Sequence, residues 1–317
     1  GKATYFESVN RNKRSIALDL RESADLHRAR RLAAQADVVI ENFRVGALDK
    51  FALDYATVSE SNPRVVYCSI SGFGSKKGKD LPGYDLLIQA MGGLMSITGT
   101  DAPNKVGVAL VDVLTGLHAS NSILAAIVER THSGIGQHLE VNLLSALLSS
   151  MVNQSSAYVL GGVTPQRMGN AHPSIAPYEV FDCADRPLVI AVGNDTQFTN
   201  LCFVLGIAEL ASDSRYSTNP NRVENRSSLY NEWNQALCTA TADYWHSELS
   251  KQGIPCGPIN SIPQAFELAE QLGLEPVHNG MVSNPVNFSR TPAVYRLVPP
   301  DLGNATSEVV AELNLDD

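Results

Sequence analysis

One carboxylate stands alone in a strongly apolar stretch of this chain. Residues 106–117 read VGVALVDVLTGL, and Asp112 is the one charged side chain among them. Burying an ionised carboxylate costs roughly several kcal/mol unless hydrogen-bond donors satisfy it, so an acid in such a run needs a partner or a task. Asp112 is either the N-cap of a helix or a reactive group, and residue type alone favours the cap because catalytic residues are rarer.

A second group of residues could bind phosphate. Arg11, Lys13 and Arg14 place three cations close together, beside the amides of Asn10 and Asn12. Cations that carry several N–H donors suit phosphoryl groups. A tight basic cluster in an acidic protein more often faces solvent, so spacing alone favours a solvated turn.

Other catalytic signatures are absent from the sequence. It contains no G-x-S-x-G nucleophile elbow, no G-x-x-x-x-G-K-[ST] phosphate loop and no H-E-x-x-H motif. The seven histidines show no metal-ligand spacing, and the GFG at 72–74 and the GIG at 134–136 each lack the third glycine of a dinucleotide fingerprint. We therefore expect no metal and no permanently bound cofactor.

Length and composition indicate an ordinary globular protein. The 317 residues suffice for two packed domains, and 44% of them are hydrophobic while 18% are charged. The net charge of -9 argues against nucleic acid as a partner, and no uninterrupted apolar run approaches the roughly 18 to 20 residues of a membrane span. We expect a soluble protein with no membrane partner.

The cysteines indicate a reducing compartment. They number five, are widely scattered and include no C-x-x-C pair. The first residues contain neither a signal peptide nor an Arg-rich transit segment. We expect a cytoplasmic protein, with the mitochondrial matrix as the alternative.

The elements around these residues follow a βαβ pattern. A helix is predicted over 22–35, and short buried strands over 36–40 and 65–70. The strands run into ENFR and SGFG loops. Ligands of open parallel sheets bind beyond the carboxyl ends of the strands, so both loops are expected to face the active site. Residue type alone would assign Phe43 and Phe73 to the core.

Periodicity predicts further elements of this large domain. Residues 15–20 alternate like a strand, a helix runs from Val113 to about Arg130, and a strand at 138–141 leads into one long helix over 142–160.

Two groups between these elements are expected to play supporting roles. Lys76, Lys77 and Lys79 form a charged loop that we expect to be solvated. Asp85, at the head of the following helix, is expected to be a cap or hydrogen-bond anchor rather than a catalyst.

The pattern predicts an α/β protein of two domains. A large domain with an open parallel, Rossmann-like sheet is expected over 1–177, and a smaller α/β domain over 178–275. Residues 276–317 are expected to return to the large domain.

Motifs along nearly the whole chain resemble the family III CoA-transferases. This group includes formyl-CoA, carnitine-CoA and succinyl-CoA:dicarboxylate CoA-transferases, and alpha-methylacyl-CoA racemase is a relative. The matching motifs, in chain order, are NRNKRS at 10–15, ENFR at 41–44, ISGFG at 70–74, PGYD at 82–85, QAMGGLM at 89–95, TG at 98–99, DVLTG at 112–116, GIGQ at 134–137, GNAH at 169–172 and GIPCGP at 253–258.

The resemblance implies roles for particular residues. Asp112 stands where the family keeps its nucleophilic aspartate. Residues that match the family's coenzyme A site are expected to contact CoA: Asn10, Arg11, Lys13, Arg14, Asn42, Phe43, Arg44, Gly72, Phe73 and Tyr84. The family carries a glycine-rich lid over the acyl group, and the corresponding residues 169–174 hold less glycine here.

The implied reaction moves CoA from an acyl-CoA to a carboxylic acid. A carboxylate attacks a thioester to give a mixed anhydride, and the CoA thiolate then attacks the anhydride to give an aspartyl-CoA thioester. Placement at a helix N-terminus is expected to keep Asp112 ionised. The residues from His172 to Tyr178 look most like the dicarboxylate-type members, which favours succinyl-CoA as donor.

Two other functions stay open at this point. A racemase of the same fold needs a second acid/base, and those relatives have a histidine where this chain has Tyr84. A noncatalytic acyl-CoA-binding paralogue would keep the basic cluster without the nucleophile. The resemblance further implies an interlocked homodimer, and it leads us to expect that the chain lacks the family's N-terminal strand-helix unit.

Overall fold

In the computed structural model, which describes residues 3–316, a three-stranded parallel sheet organises the larger of two units. This unit takes in residues 3–97, 104–165 and 277–316 of the described chain. Its elements, in chain order, are α1 (Thr4–Val9), α2 (Ser23–Gln35), β1 (Val38–Glu41), α3 (Tyr55–Ser61), β2 (Val66–Ser71), α4 (Asp85–Met91), α5 (Leu94–Ile97), α6 (Leu110–Ser133), β3 (His138–Asn142), α7 (Leu143–Ser150) and α8 (Val152–Val159).

The smaller unit comprises residues 98–103 and 166–276. It contains β4 (Tyr178–Phe181), β5 (Leu188–Ala191), α9 (Asp195–Val204), α10 (Asn219–Glu224), α11 (Arg226–Leu237), α12 (Ala242–Lys251), β6 (Cys256–Pro258) and α13 (Ile262–Gln271). The chain then returns to the larger unit with β7 (Val277–His278), β8 (Met281–Val282) and α14 (Thr306–Glu312). Short 3-10 turns lie at Asp49–Phe51, Ala208–Ser212 and Ser214–Tyr216.

The parallel sheet has the order β1-β2-β3, so β2 is central. Alternate residues of β2 point to opposite faces. Val66 and Cys68 are fully buried in the cluster that includes Ala119 and Ile123 of α6. Tyr67 points the other way, into a cluster with Val58 of α3. The α/β class and the parallel sheet predicted from the sequence are confirmed.

Helix α6 packs on the sheet through a narrow stripe. Its buried residues recur at helical spacing and are Val111, Thr115, Ala119, Ile123, Ala126 and Arg130. At the far end the Arg130 guanidinium donates to the carbonyl oxygens of Asp37 and Arg64 and pairs with the Asp37 carboxylate. Gly134, with φ of 77°, ends the helix.

By length and composition alone, α6 could cross a membrane, although no long apolar run is apparent in the bare sequence. A single helix of this kind is weak evidence, because core helices of soluble proteins pass the same test. The hydrogen bonds of Arg130 and the packing of Ala119 and Ile123 against β2 fix this helix to the sheet of the larger unit.

Two predicted elements are wrong. Residues 15–20 form no strand, because their backbone binds the C-terminal segment instead: Ala305 N donates to the Ser15 carbonyl and Ala17 N to Thr306 Oγ1. The long helix predicted over 142–160 breaks between α7 and α8, where Val152 adopts a positive φ of 28°.

The smaller unit is built on an antiparallel sheet with the order β4-β5-β6. Helices α9, α11 and α12 cover it with a core rich in aromatic residues, in which the Trp233 ring contacts the rings of Phe181 and Phe198. The smaller unit combines strands and helices, as expected of an α/β domain. The five cysteines are free thiols.

Candidate active site

A cavity of about 790 Å³ opens beyond the carboxyl ends of β1 and β2. Its wall includes residues 42–45 after β1, residues 72–74 after β2, the loop 78–84 and the start of α6. Ligand sites of open parallel sheets lie at this edge. The loops that follow the two strands thus line one cavity.

Asp112 is the third residue of α6 and lies on this wall. The helix begins at Leu110, and Ala109 before it has no side chain that could cap the helix. Asp112 is therefore not the N-cap, and that interpretation of its residue type is wrong. Its side chain is exposed rather than packed into the core.

A second carboxylate holds the start of α6. Asp85 Oδ1 accepts hydrogen bonds from the backbone N–H groups of Val111 at 2.8 Å and Asp112 at 3.3 Å. Asp85 Oδ2 accepts from Nε2 of the buried Gln89 at 2.6 Å, and Gln89 Oε1 accepts from Val106 N at 2.9 Å. Asp85 thus satisfies N–H groups that a helix start leaves unpaired. The anchoring role expected for Asp85 is confirmed.

The pKa of Asp112 is raised above its usual value, first by loss of hydration and second by the negative charge of Asp85. The helix N-terminus was expected to favour the ionised form. Asp85 already occupies the N–H groups there, and its charge opposes ionisation of Asp112. The side chain is consequently more basic than a free aspartate.

Two glycines approach each other beside the cavity. A Cβ on Gly72 would lie 2.4 Å from Cα of Gly83, and a Cβ on Gly83 would lie 2.5 Å from Cα of Gly72. A larger residue at either position requires backbone movement. The contact joins the loop after β2 to the residues before α4, so Phe73 and Tyr84 line the same cavity.

Several residues predicted to contact CoA lie together here: Asn42, Phe43, Arg44, Gly72, Phe73 and Tyr84. Phe43 is 58% exposed, so its assignment to the core by residue type is wrong. Phe73 is partly buried and packs against the cluster around Ile88 while still lining the cavity. Both aromatic rings are available to an apolar part of a ligand.

Arg11 belongs to a different part of the larger unit. Its Nη2 donates to the carbonyl of Val282 at 2.6 Å, and its guanidinium lies 4.5 Å from the ring centroid of Tyr295. Its Nη1 is buried and has no hydrogen-bond partner within residues 3–316. Arg11 is therefore engaged with the C-terminal segment.

The rest of the basic cluster is engaged in a similar way. Arg14 pairs with Glu308 and Glu312 of α14, and Lys13 Nζ donates to Asn10 Oδ1 at 3.0 Å. None of these residues lines the cavity that holds Asp112. Their role in CoA binding stays a prediction.

A smaller cavity of about 220 Å³ shares several wall residues with the first, among them Arg44. The rings of Tyr55 and His138 stack there with centroids 4.8 Å apart, and Ser69 Oγ lies 2.9 Å from His138 Nε2. Sequence reasoning missed this group. One feature of the sequence indicates this group: alternate residues of a strand point to the same face, which places Tyr67 and Ser69 on one face of β2.

Lys76, Lys77 and Lys79 are all exposed, as expected for a solvated loop, and Lys79 in addition lines the larger cavity. Lys76 and Lys77 are absent from the wall. The sequence offers no signal that separates the three lysines, because the difference arises from how the loop packs.

The segment that matches the family lid belongs to the smaller unit. Arg226 Nη2 donates to the carbonyls of His172 at 2.6 Å and Ile175 at 2.9 Å, and Nη1 pairs with Glu179 at 3.1 Å. The rings of His172 and Tyr178 stack with centroids 5.1 Å apart. Within residues 3–316 no group of three or more histidine, cysteine or acidic side chains is placed to hold a metal ion.

Comparisons with known proteins agree with this architecture. The sequence profile described as CoA-transferase family III matches residues 1–306. The chain is 41% identical to a succinate–glutarate CoA-transferase of Agrobacterium fabrum, covering 98% of this chain and 81% of that protein. It is 35% identical to the succinyl-CoA:glutarate CoA-transferase of Mus musculus, covering 98% and 74%.

A solved structure is also similar. The crystal structure of a CAIB/BAIF family protein from Brucella suis matches with a TM-score of 0.87 and 40% sequence identity, covering 98% of this chain and 84% of that one. The fold found here is therefore shared with an experimentally determined structure.

Proposed function

The chain belongs to CoA-transferase family III and is a CoA-transferase, and from that premise we propose that it moves CoA from succinyl-CoA to a dicarboxylic acid with Asp112 as nucleophile. The observation that carries this proposal is the position of Asp112: a carboxylate of raised pKa on the wall of a large cavity at the carboxyl edge of the sheet. The diacid substrates are inferred from the names of the relatives in Agrobacterium fabrum and Mus musculus.

The reaction proceeds by successive acyl transfers. The Asp112 carboxylate attacks the thioester carbonyl of the donor, the C–S bond breaks, and a mixed anhydride and CoA thiolate result. The thiolate attacks the Asp112 acyl carbon, which gives an aspartyl-CoA thioester and releases the donor acid. The acceptor carboxylate attacks this thioester, and the released thiolate then attacks the acceptor side of the new anhydride, which regenerates Asp112.

Neighbouring residues support this chemistry by position. Asp85 fixes the backbone N–H groups of Val111 and Asp112, so the nucleophile is held by the first turn of a long helix. Phe43 and Phe73 supply apolar surface for the pantetheine and adenine portions of CoA, and Arg44 supplies a cation for its phosphates. Hydrolysis of the anhydride and of the thioester must be limited by excluding water, and we expect bound acyl-CoA to displace water from the cavity.

We also propose that two chains form an interlocked homodimer. The support is an apolar stripe on α6 that the single chain leaves open: Val113, Leu117, Leu124 and Val128 are all more than half exposed. An exposed apolar row on a central helix is typical of an interface with another chain.

Trapping the intermediate tests the assignment of Asp112. Incubation of the protein with succinyl-CoA and hydroxylamine is expected to convert Asp112 to a hydroxamate, which peptide mass spectrometry detects. Asp112→Asn is expected to lose CoA transfer by orders of magnitude while remaining folded, because an amide does not attack the thioester. Asp80→Asn is the matched control, since it removes a carboxylate from the same cavity wall without removing the proposed nucleophile.

Full transfer activity in Asp112→Asn would contradict the mechanism. A hydroxamate at another carboxylate would identify that residue as the nucleophile instead. A panel of acyl-CoA donors and acids, with products read by mass spectrometry, tests the substrates separately.

A further inference from the structure

Two cations on the wall of the larger cavity have no partner in the described chain. They are Arg44 and Lys79, and neither side chain forms a hydrogen bond or ion pair within residues 3–316. Two acidic side chains on the same wall, by contrast, have hydrogen-bond partners. Glu41 accepts a hydrogen bond from Phe43 N at 2.9 Å, and Asp85 accepts hydrogen bonds at the start of α6. The two cations are thus free to bind an anionic ligand.

The loop that carries Lys79 is packed in a defined way. The backbone N–H of Lys79 donates to the carbonyl of Lys76 at 3.2 Å, which closes a turn. Gly78 lies so close to Phe73 that a Cβ there would be 2.3 Å from the Phe73 carbonyl oxygen. This packing sets Lys79 on the cavity wall and leaves Lys77 outside it.

The two cations differ in location. Arg44 lines both cavities, whereas Lys79 lines the larger one, which holds Asp112, and not the smaller one. CoA must extend away from the reacting carbonyl, while the acyl group stays beside Asp112. The planar fork of an arginine suits phosphate and carboxylate alike, whereas the flexible stem of a lysine lets its charge follow acyl chains of different lengths.

We propose that Lys79 binds the distal carboxylate of a dicarboxylic substrate while the other carboxyl group reacts at Asp112. The inference rests on the proposed function, because it requires that the protein transfers CoA to a diacid. An acyl group joined to Asp112 carries its second charge into a cavity that already holds Glu41, Asp80 and Asp85. Lys79 offsets the repulsion and thereby favours diacids over monoacids.

A pair of acceptors that differ by one charge tests this selectivity. CoA transfer from succinyl-CoA is measured to glutarate and to its monomethyl ester, and the readout is the ratio of the two kcat/KM values. Because succinyl-CoA is the donor in both assays, any effect of a variant on the donor step cancels in this ratio. Lys79→Met is expected to lower the ratio by about tenfold or more, mainly by raising KM for glutarate. Lys79→Arg is expected to preserve most of it.

Lys77→Met is the matched control, because it removes the same charge from the same loop outside the cavity. An unchanged ratio in Lys79→Met, or an equal fall in Lys77→Met, overturns the inference. Lys79→Gln serves as a second neutral variant if Lys79→Met does not fold. Wild-type protein that transfers CoA to glutarate supports the proposed function whatever Lys79 does, whereas wild-type protein without transfer overturns both.

Discussion

The carboxylates of Asp85 and Asp112 act on each other through the first turn of α6. Asp85 holds the backbone of Asp112 by hydrogen bonds, and its negative charge helps to raise the pKa of that residue. The same side chain thus positions Asp112, the proposed nucleophile, and makes it more basic. A neutral residue that kept the hydrogen bonds would retain the first effect and lose the second.

Asp85→Asn is expected to shift the pH dependence of Asp112 acylation. Acylation requires the ionised form of Asp112, so its rate falls as the pH drops through the pKa of that group. Removing the charge of Asp85 lowers this pKa, and the acid limb therefore moves to lower pH. The measurement is the initial rate of hydroxamate formation between pH 4 and pH 8, roughly the range around an aspartate of raised pKa.

Asp80→Asn is again the control, because Asp80 does not contribute to the shift at Asp112. An acid limb that stays in place in Asp85→Asn would mean that Asp85 acts as a structural anchor alone.

At the scale of elements, α6 connects Asp112, the proposed nucleophile, to the opposite edge of the sheet. Asp112 lies at one end, and Arg130 near the other end holds the residues that precede β1 and β2. The loops facing Asp112 are kept in place by close backbone contacts rather than by large side chains. The pair Gly72 and Gly83 is one example on the cavity wall.

Gly83→Ala is expected to force these loops apart. Its new Cβ would lie 2.5 Å from Cα of Gly72, so the free energy of unfolding should fall by about 1–3 kcal/mol and transfer activity should fall with it. Gly107→Ala is the matched control, because a Cβ there meets nothing within 4 Å. Chemical denaturation and CoA-transfer assays of both variants check the prediction, and equal stability of the two would contradict it.

Local patterns predicted most of the elements, whereas the assignment of Asp112 as nucleophile comes from the family resemblance and stays a prediction. The isolated charge of Asp112 and the strand-loop junctions at Asn42 and Gly72 are visible in the sequence, and the cavity brings them together. The strand predicted over 15–20 is wrong because the backbone of this segment forms hydrogen bonds with α14 and with the residue before it. These partners lie far along the chain, so local alternation cannot reveal them. Lys79 was missed because its position depends on the fit of Gly78 against Phe73.

At the scale of the whole molecule, the open apolar stripe of α6 makes assembly a testable property. The proposed interlocked dimer should keep its mass in light scattering on dilution, since the two chains cannot part without unfolding. Leu117→Glu combined with Leu124→Glu is expected to reduce the yield of dimer, because both side chains are about 60% exposed in the single chain and would be covered in the dimer.

A monomer whose mass is independent of concentration in the wild-type protein would refute the dimer. Circular dichroism of the double variant separates loss of assembly from loss of helix.

The contacts between the two ends of the chain set the order in which the protein is completed during synthesis. Arg14 leaves the ribosome 298 residues before its partner Glu312, an interval of about 15 to 60 s at common translation rates of about 5–20 residues per second. The antiparallel sheet of the smaller unit is complete once Pro258 has emerged. The residues around Arg14 can therefore form these contacts only after the smaller unit has been synthesised in full.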